Sequence, residues 1–232
     1  MDSQQPSQTS DNIAYRSPHP LAILAVLLAI LSPLALLSPV LWVVPVLAVL
    51  VAIAALIRLA AGSEEKVGRK GALIAMAVAL FFGTWGPARY VSRQQWLYRQ
   101  ARVYADAWLQ LVQDQRLAEA HQLHLTSRER VADDVPLGEY YAGLPYVSSA
   151  FRDFFENEPL RHVVEMKKHA GWIEFDAHIG YKHRTHRDVV TLRYLLHVRK
   201  RNLEDVLPVR VEMKRELDTG TGYRTWYVDA VF

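Results

Sequence analysis

The sequence contains no cysteine. This absence excludes a disulfide framework, a thiolate nucleophile and a zinc or iron–sulfur site held by cysteine. It also excludes the acylated cysteine that anchors a lipoprotein. Chains without cysteine occur on both sides of a membrane, so the absence assigns no compartment.

The short motifs of common enzymes are also missing. The sequence has no P-loop, no dinucleotide-binding fingerprint, no GxSxG elbow and no HExxH zinc motif. We therefore expect no cofactor and no resident metal. Without a catalytic signature, the sequence favours binding or assembly over catalysis.

Charge is scarce in the first third of the chain. Residues 21–57 carry none, and only five of the 27 Lys/Arg and four of the 24 Asp/Glu precede Arg89. As one helix, at about 1.5 Å per residue, that stretch would be roughly 55 Å long, nearly twice the hydrocarbon thickness of a bilayer. Prolines interrupt it and disfavour a continuous helix. The sequence predicts two transmembrane helices, Pro20–Leu36 and residues 40–59, with a tight turn over residues 37–40.

A third apolar segment covers residues 71–88, after a loop over residues 58–70 with four basic side chains. Eighteen residues are barely enough to cross a bilayer, so the segment either spans it or lies in its interface, and we favour a span. Trp85 and Tyr90 would then lie at the headgroup level. Small residues predict close helix packing, with lipid-facing positions as the alternative: Gly71, Ala72, Ala75, Ala77, Ala79 and Gly83.

The basic residues next to these segments bear on orientation. Those of the loop over residues 58–70 favour a cytoplasmic loop and therefore an extracytoplasmic C-terminal domain. The arginines that follow the third segment favour the opposite: Arg89, Arg93, Arg99 and Arg102. The sequence thus predicts an integral membrane protein, of the bacterial cytoplasmic membrane type, with two nearly balanced orientations.

Residues 1–19 form a polar leader with Arg16 as its one basic side chain. That composition predicts a disordered tail, and the long apolar stretch after it argues against a signal peptide. The two proline-punctuated helices, the basic loop and the glycine- and basic-rich start of residues 68–77 resemble a small bacterial membrane domain of unknown function. The resemblance covers residues 20–88 and implies no catalytic residues.

The remaining two-thirds of the chain changes from helical to strand periodicity. Apolar residues at steps of three and four predict a long helix over residues 90–113: Leu97, Ala101, Tyr104, Ala105, Trp108, Leu111 and Val112. Shorter helices are predicted over residues 116–125 and 147–156. Four alternating runs then predict an antiparallel meander, with these inward positions: Ile173, Phe175, Ala177, Ile179, Tyr181; Val190, Leu192, Tyr194, Leu196, Val198; Leu207, Val209, Val211, Met213; and Trp226, Val228, Ala230, Phe232.

The predicted fold class is therefore α+β, with transmembrane helices before a soluble domain over residues 89–232. The order of one long helix, short helices and a curved meander with an aromatic-rich last strand resembles the cone-shaped nuclear transport factor two-like fold. That fold includes SnoaL-like and ketosteroid-isomerase-like proteins. The resemblance implies a domain that hosts an isomerase, a dehydratase, a transport adaptor or a scaffold.

The resemblance to isomerases implies an acid–base pocket in the cone. Candidate residues are Asp106, Asp176, Tyr194 and Asp229, with Tyr104 as a further phenol. General acid–base catalysis needs such groups to converge on a substrate with tuned pKa values. The competing interpretation places both tyrosines in the core and turns Asp176 and Asp229 outward.

A basic stretch offers candidate partner-binding residues: His178, Lys182, Arg184 and Arg187. Residues 178–201 contain seven Lys/Arg but only one acid, Asp188. Such a strand pair suits anionic lipid headgroups or an acidic protein, and the lack of a nucleic-acid motif disfavours nucleic acid. The alternative is a solvated outer face of the sheet. His178, His183 and His186 with Asp176 also suggest a metal site, which the neighbouring cations oppose.

These observations lead to one expected function and one alternative. We expect a membrane-anchored binding module that docks another membrane or envelope protein, or a small ligand, through its cone, with a homodimer through the sheet as one arrangement. The alternative is a membrane-tethered isomerase or dehydratase with an aspartate in the cone pocket.

Overall fold

A computed structural model describes residues 20–61, 68–166, 171–184, 187–200 and 203–232. The predicted tail over residues 1–19, the middle of the basic loop and His186 lie outside the described residues. The chain divides into two compact units, Met1–Ser92 and Arg93–Phe232.

The first unit contains apolar helices separated by a proline turn. Its elements are α1 (Pro20–Leu31), two 3-10 turns (Ser32–Leu36 and Pro39–Trp42), α2 (Val43–Ala61) and the first half of α3 (Arg69–Gln113). The chain turns at Leu37 and Ser38, within the predicted range. Pro33 lacks the N–H that would continue α1, and the chain there passes into a 3-10 turn. Pro39 begins the second 3-10 turn, a first position that proline favours. The third apolar segment and the predicted long helix form one continuous helix, α3.

Small residues lie between the helices of the first unit, and large ones point outward. The buried positions include a series of alanines: Ala22, Ala25, Ala29, Ala35, Ala48, Ala52, Ala55, Ala72, Ala75 and Ala79. Ile30, Ile57 and Ile74 are about two-thirds exposed, at 66%, 63% and 65%. Of the predicted packing residues, Ala77 is exposed because it lies off the three-and-four spacing of the buried positions.

Close contacts of two glycines, one just before α3 and one within it, show the direction of α1 relative to the first half of α3. A Cβ placed on Gly68 would lie 3.2 Å from the Ala22 Cβ, whereas one on Gly86 would lie 3.1 Å from the Ala35 carbonyl oxygen. Helix α1 therefore runs parallel to the first half of α3. Within the described residues, two helices are long and apolar enough to cross a membrane, Pro39–Ala61 and Arg69–Gln113, and 22% of the most apolar 18-residue stretch of each is buried. Pro20–Leu36 is a shorter apolar helix.

The second unit combines helices with a four-stranded antiparallel sheet, which confirms the α+β class. Its further helices are α4 (Leu117–His124), α5 (Leu137–Gly143), α6 (Pro145–Glu156) and α7 (Leu160–Glu165). Its strands are β1 (Trp172–Arg184), β2 (Arg187–Lys200), β3 (Leu203–Leu217) and β4 (Arg224–Val231), in the spatial order 1-2-3-4. The meander and the helices α4 and α6 follow the prediction, whereas α5 and α7 are additional.

One face of the sheet packs against the second half of α3. Leu97, Ala101 and Trp108 of α3 share a buried core with Leu192 and Val211 of the sheet. Alternate residues of β2 and β3 are buried as predicted. The expectation for Tyr104 is wrong: it lies at the edge of the apolar stripe and is 45% exposed.

Irregularities in β1 overturn part of its predicted alternation. The register shifts between Phe175 and Ala177 and again between His178 and Gly180. His178 consequently pairs with the core residue Leu192, although the alternation predicts an outward side chain. Its ring stacks on Tyr98 of α3 with centroids 4.4 Å apart. Ile179, predicted to point inward, is 43% exposed.

A similar irregularity changes the end of β4. Met213 pairs with Val228 but Glu212 pairs with Ala230, so one extra residue lies on β4. Val231 thus packs against the core, and Phe232, predicted to be inward, is 49% exposed. The inward positions Trp226 and Val228 are buried as predicted.

Aromatic rings fill the space between the sheet and the short helices. Trp108 is fully buried, and its indole N–H donates to the Ala120 carbonyl at 2.9 Å. Phe151 and Phe154 pack against this core together with buried Trp226. Helix α4 contributes the His124 ring, which stacks on the Phe154 ring with their centroids 4.1 Å apart.

The packing of the first unit predicts a strict size limit at Gly86. The Trp42 indole N–H donates to the Ala35 carbonyl at 3.1 Å, beside Gly86. We expect Gly86→Leu to destabilise the full chain by about 1–3 kcal/mol because the added side chain collides with this pair. The exposed control Ala77→Leu should melt like the wild type. Thermal denaturation in detergent measures both, and equal melting temperatures for the two variants would contradict the helix packing.

The buried histidine of α4 predicts a pH-dependent stability. Burial, and the nearby charge of His124, lower the pKa of His121 to about 4, and His121 is 6% exposed. The unfolded chain takes up a proton near pH 6.5 whereas folded His121 stays neutral. Stability should therefore fall between pH 6.5 and pH 4, by up to about 3 kcal/mol.

Denaturant titrations of the full chain at several pH values measure this loss. His121→Gln should reduce the slope of stability against pH. The exposed control His162→Gln should keep it. An unchanged slope in His121→Gln would show that other groups cause the acid sensitivity.

Candidate anion-binding site

Two of the predicted acid–base residues meet on the helix-facing side of the sheet. The hydroxyl of buried Tyr194 donates to the Asp106 carboxylate at 2.6 Å. Burial, and then the hydrogen bond and charge of Asp106, raise the pKa of Tyr194. Asp106 is itself 47% exposed and pairs with Arg102 at 3.4 Å. The phenol thus stays neutral, and the carboxylate opens to solvent.

The other two predicted acids lie in ion pairs of their own. Asp176 of β1 pairs with Arg193 of β2. Asp229 of β4 pairs with Lys214 of β3 at 2.5 Å. The structure brings Asp106 to Tyr194, but it holds Asp176 and Asp229 each against a different cation.

The predicted partner-binding residues divide between two environments. Lys182 and Arg184 are exposed at the end of β1. Arg187 pairs with Glu216 at 3.0 Å. His178 instead stacks on Tyr98, and burial together with the charge of Arg102 lowers its pKa. In the part of the chain that is described, no group of three or more potential ligands that could hold a metal ion occurs.

A buried carboxylate at the start of β2 gathers several cations. Asp188 is fully buried, and no other acidic side chain among the described residues is. Its Oδ1 lies 2.6 Å from His183 Nδ1, 3.3 Å from the Tyr181 hydroxyl and 3.4 Å from Arg93 Nη2. Its Oδ2 lies 3.1 Å from Arg224 Nη1 and 3.8 Å from Arg215 Nη1. We call Arg93, Arg215 and Arg224 the arginine cluster.

The strand register explains why these residues meet. Asp188 pairs with His183 across β1 and β2, and with Arg215 across β2 and β3. Arg215 in turn pairs with Trp226 of β4, and Arg224 points to the same face because it lies two residues before Trp226. Since Trp226 is buried, this is the face that packs against α3, which supplies Arg93.

Positive charge exceeds negative charge at this site. Three guanidiniums surround one carboxylate, and a carboxylate has too few lone pairs for all their N–H groups. The Arg215 Nε atom is buried without a hydrogen-bond partner. Burial lowers the pKa of Arg215, Asp188 opposes this effect, and the charges of Arg224 and Arg93 add to it. The site thus has unused donors and an uncompensated charge.

Aromatic rings support the cluster, and solvent reaches part of it. The Arg215 guanidinium lies over the Trp96 ring at 4.8 Å from its centroid, an arrangement that offsets part of the cost of burying the cation. Arg93 and Arg224 are 46% and 29% exposed. An anion can therefore approach donors that are already held in place, which is the arrangement that favours phosphate and carboxylate binding.

Sequence reasoning missed this cluster. The sequence identified Asp188 as the one acid within a basic stretch, which was the available signal, but it suggested for His183 only a disfavoured metal site or a solvated turn. Arg215 and Arg224 belong to other strands, and only the strand register brings them to Asp188.

A separate surface cavity of about 720 Å³ lies beside α6 and α7. Its lining mixes apolar side chains with ionic ones: Leu117, Ser148, Phe151, Arg152, Phe155, Glu156, Arg161, Val164 and Glu165. Phe151 and Phe155 belong to the aromatic filling of the second unit. The cavity therefore borders the packed aromatic rings.

The cluster predicts a strong dependence of stability on Asp188. We expect Asp188→Asn to destabilise the full chain by about 3 kcal/mol, because it leaves buried like charges without their counter-ion. The matched variant Asp229→Asn, whose side chain is 28% exposed, should cost less than about 1 kcal/mol. Denaturant unfolding compares them, and equal stabilities would contradict a buried counter-ion role for Asp188.

Comparison with known proteins adds no further assignment. The chain matches no protein-family model, no curated protein and no solved structure.

Proposed function

We propose that the chain is an integral membrane protein in which the first unit is the anchor and the second unit is a binding module. The packing of the first unit carries the proposal: alanines lie between the helices, and isoleucines, leucines and valines cover the outside. Water-soluble proteins bury large apolar side chains and rarely expose apolar patches above a few hundred Å². Helices in lipid instead use small residues for close contact.

Lengths and charges agree with an anchor. Helix α2 has 19 residues, about 28 Å at 1.5 Å per residue, close to the roughly 30 Å of a hydrocarbon core. The apolar part of α3 ends at Ala88, before Arg89 and Tyr90. Trp85 is 49% exposed near that end, where an indole ring suits the interface.

Binding explains the second unit better than catalysis does. Aromatic rings, among them Trp108, Phe154 and Trp226, pack in its interior, which favours a filled cone over an open one. Asp176 and Asp229 each pair with a cation. Asp106 also pairs with a cation but opens to solvent, so it is the one carboxylate of the three that the isomerase or dehydratase alternative would use. We further propose that the second unit has the cone-like, nuclear transport factor two-like fold. In this proposal the second unit lies on the extracytoplasmic side and binds a protein partner.

A pair of lysine substitutions on one helix tests the anchor. Leu80 lies in the apolar half of α3 and Val103 in its second half, and both are exposed, at 49% and 66%. Leu80→Lys should oppose membrane insertion because lysine at a helix centre costs about 2.5–3.5 kcal/mol. Val103→Lys should insert like the wild type because its site faces water.

Alkaline carbonate washing of membranes from expressing cells measures the result. Wild type and Val103→Lys should stay in the pellet until detergent is added, and the retained fraction of Leu80→Lys should fall. Release of the wild type by carbonate, or equal retention of both variants, would refute the anchor.

A further inference from the structure

We infer that the arginine cluster binds the phosphate group of an acidic glycerophospholipid, an assignment that rests on the proposed membrane anchor. The cluster is Arg93, Arg215 and Arg224 around Asp188, with His183 beside it. A phosphate supplies the counter-charge and the acceptor oxygens that one carboxylate does not. Free phosphate shares this chemistry, and the experiment below separates the two sources.

The donors of the site are already oriented. Asp188 holds Arg224 Nη1 at 3.1 Å and Arg93 Nη2 at 3.4 Å, so each guanidinium keeps further N–H groups for a second acceptor. The Trp96 ring holds Arg215 from another side. Since Asp188 holds these long side chains in place before binding, less side-chain entropy is lost when a phosphate binds.

Exposed basic side chains lie on the strand that supplies His183, and the acid that follows Arg215 in the sequence is already paired. Lys182 and Arg184 flank His183 on β1 and are exposed, but they point to the opposite face of the sheet because successive strand residues alternate. The neighbouring acid Glu216 is engaged with Arg187 and with the Tyr227 hydroxyl. Glu216 is therefore not free to compete for the arginine cluster, and basic residues near a bilayer attract acidic lipids.

Chain connectivity favours a lipid over a soluble anion. Arg93 follows Ala88, the last residue of the apolar segment, by five positions. Even a fully extended chain could carry it at most about 18 Å from that residue. With the anchor in the bilayer, Arg93 is restricted to the neighbourhood of the lipid headgroups. Trp96, exposed by 41%, is of the residue type that prefers this level.

Lipid titration of the full chain in nonionic detergent tests the inference. The probes are dioctanoyl phosphatidic acid, dioctanoyl phosphatidylcholine and inorganic phosphate, and the readouts are the melting temperature and the bound lipid in native mass spectra. A ligand of the folded state raises the melting temperature, and at a given concentration a tighter ligand raises it more. Phosphatidic acid should do so at concentrations where phosphatidylcholine and inorganic phosphate do not, and added salt should weaken the effect.

Matched charge variants locate the site. Arg93→Gln and Arg224→Gln should each lower the affinity for phosphatidic acid about tenfold, because each removes a charged donor. Arg193→Gln is the control: it removes the same charge from a residue paired with Asp176 on the outer side of the sheet, and it should bind like the wild type. The melting temperature without lipid verifies folding, and the half-exposed Arg93 decides the test if Arg224→Gln fails to fold.

Three outcomes overturn the inference. Wild-type affinity in the Arg93 variant rejects the site. An equal loss in Arg193→Gln shows that net charge alone attracts the lipid. Equal affinity for inorganic phosphate rejects the lipid as the ligand. Each can occur in a chain that resists carbonate washing, so failure of this inference is distinguishable from failure of the anchor.

Discussion

The direction in which large apolar side chains point is the constraint on which the first unit depends. Its helices approach through alanine and glycine, whose small size lets backbones come close, and this leaves isoleucine, leucine and valine no interior to occupy. In water such a surface would aggregate, since each exposed Å² of apolar area costs about 25 cal/mol. Apolar surroundings suit this packing better than water does, and that preference is the physical basis of the proposed anchor.

The sequence predicted elements well where a single periodicity governs them. The turn at Leu37, the long helix and the alternation of β2 and β3 follow from proline chemistry and from burial of one face. The predicted inward and outward positions are wrong where a strand contains one extra residue, because the residues beyond it point to the opposite face of the sheet. Ile179 and Phe232 are exposed for that reason, although the average pattern around them is apolar.

The candidate site was harder to predict than the fold for a related reason. Asp188 and His183 are close in sequence, but Arg93, Arg215 and Arg224 come from a helix and two other strands. Their meeting depends on a register that spans four elements, which no local pattern encodes. Asp188, the single acid within the basic stretch, was the signal in the sequence. It indicates a counter-ion, but it does not show which arginines the counter-ion pairs with.

The buried carboxylate links stability to binding. Three guanidiniums repel one another, and without Asp188 the sheet would separate them or lose the packing around Trp226. One carboxylate offsets only part of that repulsion, so the folded unit retains an excess of positive charge at a defined place. A second anion lowers the remaining repulsion and favours the same arrangement. Ligand binding and folding therefore both depend on the excess positive charge of the arginine cluster. Asp188 stabilises the cluster and also holds its guanidiniums in the orientation that the proposed anion binds.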